Sequence, residues 1–124
     1  MSVKTTKKHF RLFKKEAKKW IGRFGLIGWE IDYCHDDGDE HLAACYSSCE
    51  NRSALLELKK DWPDNEGVDD QAIRLAAFHE VCELFMARLI ELSKDRFAPE
   101  NSIEIEKHAI IRTLENVLFR KDKR

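Results

Sequence analysis

The segment LAAFHEVCELFMARLI, residues 75–90, is apolar almost all the way round a helix, yet His79, Glu80 and Glu83 stand in its middle. A surface helix separates an apolar stripe from a charged face, and this one does not. It therefore belongs inside a packed domain, with its polar residues set among apolar neighbours. At about 100° per residue His79 and Glu83 lie about 40° apart, with Leu75, Ala76, Met86 and Ile90 on their flanks. Both are expected to point into apolar surroundings, where a bare carboxylate costs several kcal/mol unless it is paired, protonated or bound to a cation.

The rest of the chain supplies what such a helix needs to pack against. With 124 residues and 43% hydrophobic content it fits a single domain, residues 1–124, whose core needs no disulfide or structural metal. Phe10, Phe13, Ala17, Trp20 and Ile21 recur at helical spacing between lysines and predict an amphipathic helix over 6–21 with its basic face in solvent. WEIDYC (29–34) alternates in the period-2 manner of a half-buried strand, and Asp37-Gly38 signals a hairpin turn after it. LAACYS (42–47) and SALLELKK (53–60) are two further strand-length runs, and a three-stranded antiparallel meander joins them economically. Asp69 or Asp70 caps the long helix, which runs to about Lys94 with Leu75, Phe78, Cys82, Phe85, Leu89 and Leu92 as its apolar stripe. After Pro99 a last helix carries Ile103, Ile110, Ile111, Leu114, Val117 and Leu118 and ends in RKDKR. The expected order is α, β, β, β, α, α, an α+β domain.

Several function classes fall away on composition. No apolar run reaches the roughly 18 residues of a spanning helix, and the basic N-terminus lacks the apolar core of a secretory signal. No membrane role is expected, and a cytoplasmic location is the default. Cys34, Cys45, Cys49 and Cys82 then read as reduced thiols. A second, structural zinc site from Cys45, Cys49 and Cys34 with His35 or His41 has poor spacing, and Cys82 reads as a small core residue.

The chemistry centres on the long helix. An i, i+4 pair brings two side-chain ends within reach of one ion, as in H-E-x-x-H, although here Glu83 stands where the second histidine would be. His108 on the last helix can approach the same point if the two helices pack together, which would give two nitrogens and one carboxylate oxygen, the donor set of an open zinc site. Glu80 would then sit where a general base takes a proton from water. The same residues also admit simpler readings: a hydrogen-bonded His79–Glu83 pair, Glu83 paired with Arg88 or Arg112, and His108 as an ordinary boundary histidine.

Taken together, GWEIDYC, LAACYS, LLELKKDW, FHEVCELF (78–85) and HAIIRTLENVLF (108–119) resemble the minimal zincin metallopeptidases. Within these the resemblance is to small phage and prophage metallopeptidases, and more distantly to SprT-like and ImmA/IrrE-like domains, and it covers roughly residues 8–120. The resemblance implies a minimal zincin fold and metal-dependent hydrolysis of a peptide bond in a protein or peptide substrate, in the host cytoplasm for a phage-encoded chain. By position it implies His79 and Glu83 as helix ligands and Glu80 as the catalytic glutamate. His108 as third ligand rests on its place in the last helix, with Glu104 and Glu115 as alternatives. Zinc is the expected ion. The carboxylate at Glu83 lowers its Lewis acidity and admits manganese or iron, and equally admits a scaffold that has lost catalysis and acts only as a binding module.

Charge supplies the competing reading. The net charge of -1 hides a basic first quarter: residues 1–25 carry nine Lys/Arg against one Glu, while residues 26–102 carry seven against eighteen Asp/Glu. Lys7, Lys8, Arg11, Lys14, Lys15, Lys18, Lys19 and Arg23 on the first helix could hold a phosphate backbone or an acidic partner, with Arg120 to Arg124 adding to the patch. A solvated helix face accounts for the same charges.

Overall fold

The computed structural model describes residues 2–37, 41–63 and 67–119. Its elements, in chain order, are strand β1 (Ser2–Lys4), helix α1 (Lys7–Arg23), strands β2 (Glu30–Asp36), β3 (Ala43–Ser48), β4 (Ser53–Lys59) and β5 (Asp61–Pro63), helix α2 (Asp70–Lys94) and helix α3 (Glu100–Leu114), which continues as a π-helical turn over Glu115–Phe119. The α+β class and the position of every expected helix and strand agree with the sequence reading. β1 and β5 were not expected; they pair antiparallel, with Val3 opposite Trp62.

Local chemistry sets the helix boundaries. Thr6 caps α1: its hydroxyl accepts from the His9 amide, and His9 Nδ1 accepts from the Thr6 amide at 3.0 Å. The reciprocal bonds satisfy two donors that the first turn would otherwise leave unpaired. Gly25, at φ +67°, ends α1 in the left-handed conformation that a side chain would resist. Asp69 caps α2 by accepting from the Ala72 amide at 2.8 Å.

The three-stranded sheet corrects the expected meander. Its order is β2-β4-β3, with β2 parallel to β4 and β3 antiparallel to β4. β2 and β3 are not neighbours, so Asp37-Gly38 does not join a hairpin, and Gly38 itself lies outside the described residues. The reason is burial. SALLELK is the most apolar of the three strands and takes the centre, where both neighbours cover it, while β2 keeps the charges of Glu30, Asp32 and Asp36 at an edge. A hairpin would have centred AACYSS, with far less apolar area to bury.

Register divides the sheet into two faces. Leu56 and Leu58, with Tyr33 and His35 beside them on β2 and Cys45 and Ala43 on β3, line the inner face. Phe13 and Ala17 of α1, Ile73, Ala77 and Val81 of α2, and Trp62 close the core over it. On the outer face Glu57 and Lys59 are buried as a pair at 3.0 Å, and the Cys34 thiol donates to Glu57 at 3.4 Å.

The rotation of α2 also departs from the expectation. Its buried residues are Ile73, Ala77, Glu80, Val81, Leu84, Ala87 and Leu92, whereas Leu75 is 64% exposed. Against the stripe read from the sequence the helix is turned by roughly a third of a revolution. Ala77 and Ala87 let the sheet approach closely, and Phe78 and Phe85 meet the aromatic end of α1, with Phe85 stacked on Phe24 at 4.6 Å and Phe78 edge-on to Trp20 at 4.7 Å. Of the apolar stripe expected on the last helix, Ile110 alone is fully buried, Ile103, Leu114 and Val117 are half-buried, and Ile111 and Leu118 face solvent. The basic segment 120–124 lies outside the described residues.

This rotation is measurable. Leu84→Ala should lower unfolding free energy by about 2–5 kcal/mol in urea titration, and Leu75→Ala by less than about 0.5 kcal/mol. The reverse ranking would restore the stripe read from the sequence.

Candidate metal centre

His79, Glu80 and Glu83 follow one another around a single turn of α2, and their donor atoms all lie within 4.8 Å of one another. His79 Nε2 stands 3.2 Å from Glu83 Oε2, with the two side chains 68% and 54% exposed. The expectation that both point into apolar surroundings is therefore corrected. The turn of α2 carries His79 and Glu83 out to solvent and brings Glu80 onto the core-facing side, where it is 5% exposed.

Glu80 is the unusual member. Its Oε1 is buried and has no hydrogen-bond partner. Burial first, and then the charge of Glu83 and a hydrogen bond with it, push the Glu80 carboxyl up to about 7. The Cys45 thiol on β3, pushed up to about 12, owes its shift first to burial and then to the charges of Glu80 and Glu83. Glu80 and the Cys45 thiol thus share a poorly solvated space between α2 and the inner face of the sheet, with Glu83 at its solvent edge, and an added cation would lower the energy of all three ionised forms.

Two clefts flank the group. One, of about 460 Å³, is lined by His41, Leu42, Ala43, Trp62, Ala72, Leu75 and Ala76, with His79 and Glu80 at its end. Trp62 Nε1 donates to the Leu42 carbonyl at 3.0 Å and holds that wall in place. The other, of about 310 Å³, lies toward the C-terminal half of α2 between Cys45, Ser47, Cys49, Glu83, Ala87, Ile90, Glu91 and Lys94. Spacing alone could not place Cys45, His41 or Trp62 beside the helix. The inward parity of Cys45, opposite Leu56 in the register, is the signal that would have found the first of them.

The other candidate residues lie elsewhere. His108 is exposed on α3, with Nε2 3.8 Å from Glu104 Oε2, and Glu104 also meets Lys107 at 3.1 Å. Among the described residues His108, Glu104 and Glu115 are not part of the group around Glu80. A shared zinc site for Cys34 and Cys45 is excluded by register: Cys34 lies opposite Glu57 and Cys45 opposite Leu56, on opposite faces of the sheet. Of the basic residues, Lys7, Lys8, Arg11, Lys15, Lys18 and Lys19 are exposed along α1 as expected, and Lys14 is half-buried. No helix among the described residues is long and apolar enough to cross a membrane.

The donor set fits a divalent ion. The imidazole of His79 and the carboxylate of Glu83 are donors that suit zinc, manganese or iron, and the partnerless Glu80 oxygen is a buried acceptor beside them, placed to take a proton from water. No protein-family model, curated protein or solved structure matches this chain.

In metal-free protein Glu80 has a sign that can be measured. Its folded pKa is raised from 4.5 to about 7, so the folded state holds the proton across that interval and stability is lost as pH rises through it. Glu80→Gln should therefore stabilise the protein in chelator at pH 8 by roughly 2–3 kcal/mol and leave stability nearly unchanged near pH 4. Urea titrations at the two pH values test this, and equal effects at both would place the Glu80 carboxyl in solvent.

Proposed function

We propose that the chain is a metal-dependent hydrolase of peptide bonds, built on His79, Glu80 and Glu83 of α2. The observation that carries the reading is the buried Glu80 oxygen with no partner, set within reach of an exposed His–Glu pair. The likeness of FHEVCELF to the minimal zincin metallopeptidases supports it, as does an α+β domain whose site helix packs on the sheet.

His79 and Glu83 would hold the ion, their i, i+4 spacing having already brought nitrogen and oxygen to 3.2 Å. When bound, a divalent ion supplies Lewis acidity toward the scissile carbonyl and makes water a better nucleophile. Glu80 takes the proton from the attacking water and returns it to the leaving amine. Its burial keeps bulk water off the carboxylate, so the proton stays at the reacting centre. The substrate lies in the Trp62 cleft, where the apolar walls of Leu42, Leu75 and Ala76 receive side chains. β3 stands at the edge of the described sheet and offers main-chain groups to an extended peptide.

The experiment is elemental analysis of tag-free protein combined with peptide digestion read by mass spectrometry. The wild type should hold about one equivalent of zinc, manganese or iron; His79→Ala should lose it and His108→Ala should keep it. Glu80→Gln should retain the ion and lose about 10²–10⁴-fold in turnover of a mixed synthetic peptide library. Absence of metal after reconstitution would remove the metal centre, whereas bound metal without cleavage of any peptide would keep the centre and remove hydrolysis.

A further inference from the structure

We propose that the solvent-facing side of α1 binds the phosphate backbone of duplex nucleic acid, independently of the metal centre. Lys7, Arg11, Lys14 and Lys18 recur at i, i+4, i+7 and i+11, which places them within about 60° of arc along roughly 17 Å of helix. Lys8, Lys15 and Lys19 form a second row beside them. A duplex strand presents a phosphate about every 3.4 Å along its axis, so the first row alone spans about five of them.

The cations are free to act outward. Phe13 and Ala17 are buried in the core on another side of α1, which leaves six of the seven cations exposed and Lys14 half-buried. Glu16, the single acid of the helix, is turned toward Trp20 Nε1 at 2.8 Å and Arg74 at 3.9 Å. Among the described residues Lys19 is the only one of these seven cations in an ion pair, with Glu16 at 3.6 Å. Lys14 and Lys18 lie over the rings of Phe10 and Tyr33 at 4.9 and 5.8 Å, contacts that orient their stems and leave the charge intact.

At its N-terminal end the stripe runs into a cleft of about 570 Å³ lined by Thr5, Lys7, Phe10, Arg11, His35 and Lys60. Three cations converge there. The His35 ring is stacked on Phe10 at 5.1 Å and bonded to the Thr5 hydroxyl at 2.7 Å, so the cleft floor is rigid. A phosphate oxygen seated in it would meet Lys7, Arg11 and Lys60 together, which continues the stripe beyond the end of the helix.

Two observations choose the polymer. No large apolar side chain is exposed on α1, so the face has nothing to insert below lipid headgroups. No exposed aromatic ring stands among the cations to stack unpaired bases. Contact is therefore with backbone phosphates and insensitive to sequence. The chain's net charge of -1 leaves the attraction to the local face, and this orients the duplex against α1.

The test is fluorescence anisotropy of a labelled mixed-sequence DNA duplex of about 20 base pairs, with the full chain in EDTA, across about 25–200 mM KCl. Binding should give a slope of log K against log salt of about -4 to -5, and a second duplex of unrelated sequence should bind within about twofold. The variant Lys7→Gln/Arg11→Gln/Lys14→Gln/Lys18→Gln should make that slope shallower by about 3–4. Lys94→Gln/Lys107→Gln, on α2 and α3, should leave it unchanged. If circular dichroism shows the fourfold variant unfolded, Arg11→Gln/Lys18→Gln carries the test with about half the change. Absence of binding at about 25 mM KCl with on the order of 100 µM protein, an unaltered slope in the α1 variants, or tighter binding to phosphatidylglycerol vesicles than to duplex would each overturn the proposal.

Discussion

Glu80 occupies a position on α2 that packing would otherwise fill with an apolar side chain. Ile73, Ala77, Val81 and Leu84 lie on the same side of the helix and are fully buried or nearly so, and Glu80 stands among them with its buried Oε1 unpaired. An unsatisfied buried acceptor costs about 1–3 kcal/mol, and an ionised one more. Sequences that break a local rule of this kind without a nearby compensation do so most often where the site has work to do. Ala77 and Ala87 are buried as well, so the side of α2 that carries Glu80 is the one turned to the core.

The sheet itself follows from competition among three strands for one central place. β4 wins it with Leu55, Leu56 and Leu58, and β3 is left at the edge with its small residues facing α2. The helices, strands and caps were legible because each rests on local chemistry: Thr6 with His9, Asp69 with Ala72, the alternation of WEIDYC. Strand order was not, because pairing depends on relative burial across the chain, and the Asp37-Gly38 turn signal pointed to a neighbour that a stronger apolar strand displaced.

Legibility in the site divides along the same line. Spacing alone grouped His79, Glu80 and Glu83, because three residues on one helical turn cannot be far apart. It could not say which carboxylate is buried. A helix that is apolar almost all round has no preferred direction inward, and its rotation is settled by Phe78 and Phe85 against Trp20 and Phe24 and by the two alanines against the sheet. Glu80 thereby exchanged environments with Glu83. His108 shows the opposite weakness: placing it at the site required a long-range approach between helices, while Glu104, one turn earlier on α3, offered a partner at i, i+4.

The distribution of cations explains why Glu80 stays unsatisfied within a chain that has 22 Lys and Arg residues. Each arginine on α2 is drawn to another acid, Arg74 to Glu16 at 3.9 Å and Arg88 to Glu91 at 3.5 Å. The lysines of α1 lie on its outward side, because the inward side is given to Phe13, Ala17 and Trp20, which bury apolar area against α2 and the sheet. An amphipathic helix with so strict a division cannot lend a cation to the core. The segregation that gives α1 its basic face thus also keeps its lysines away from the buried, partnerless oxygen of Glu80.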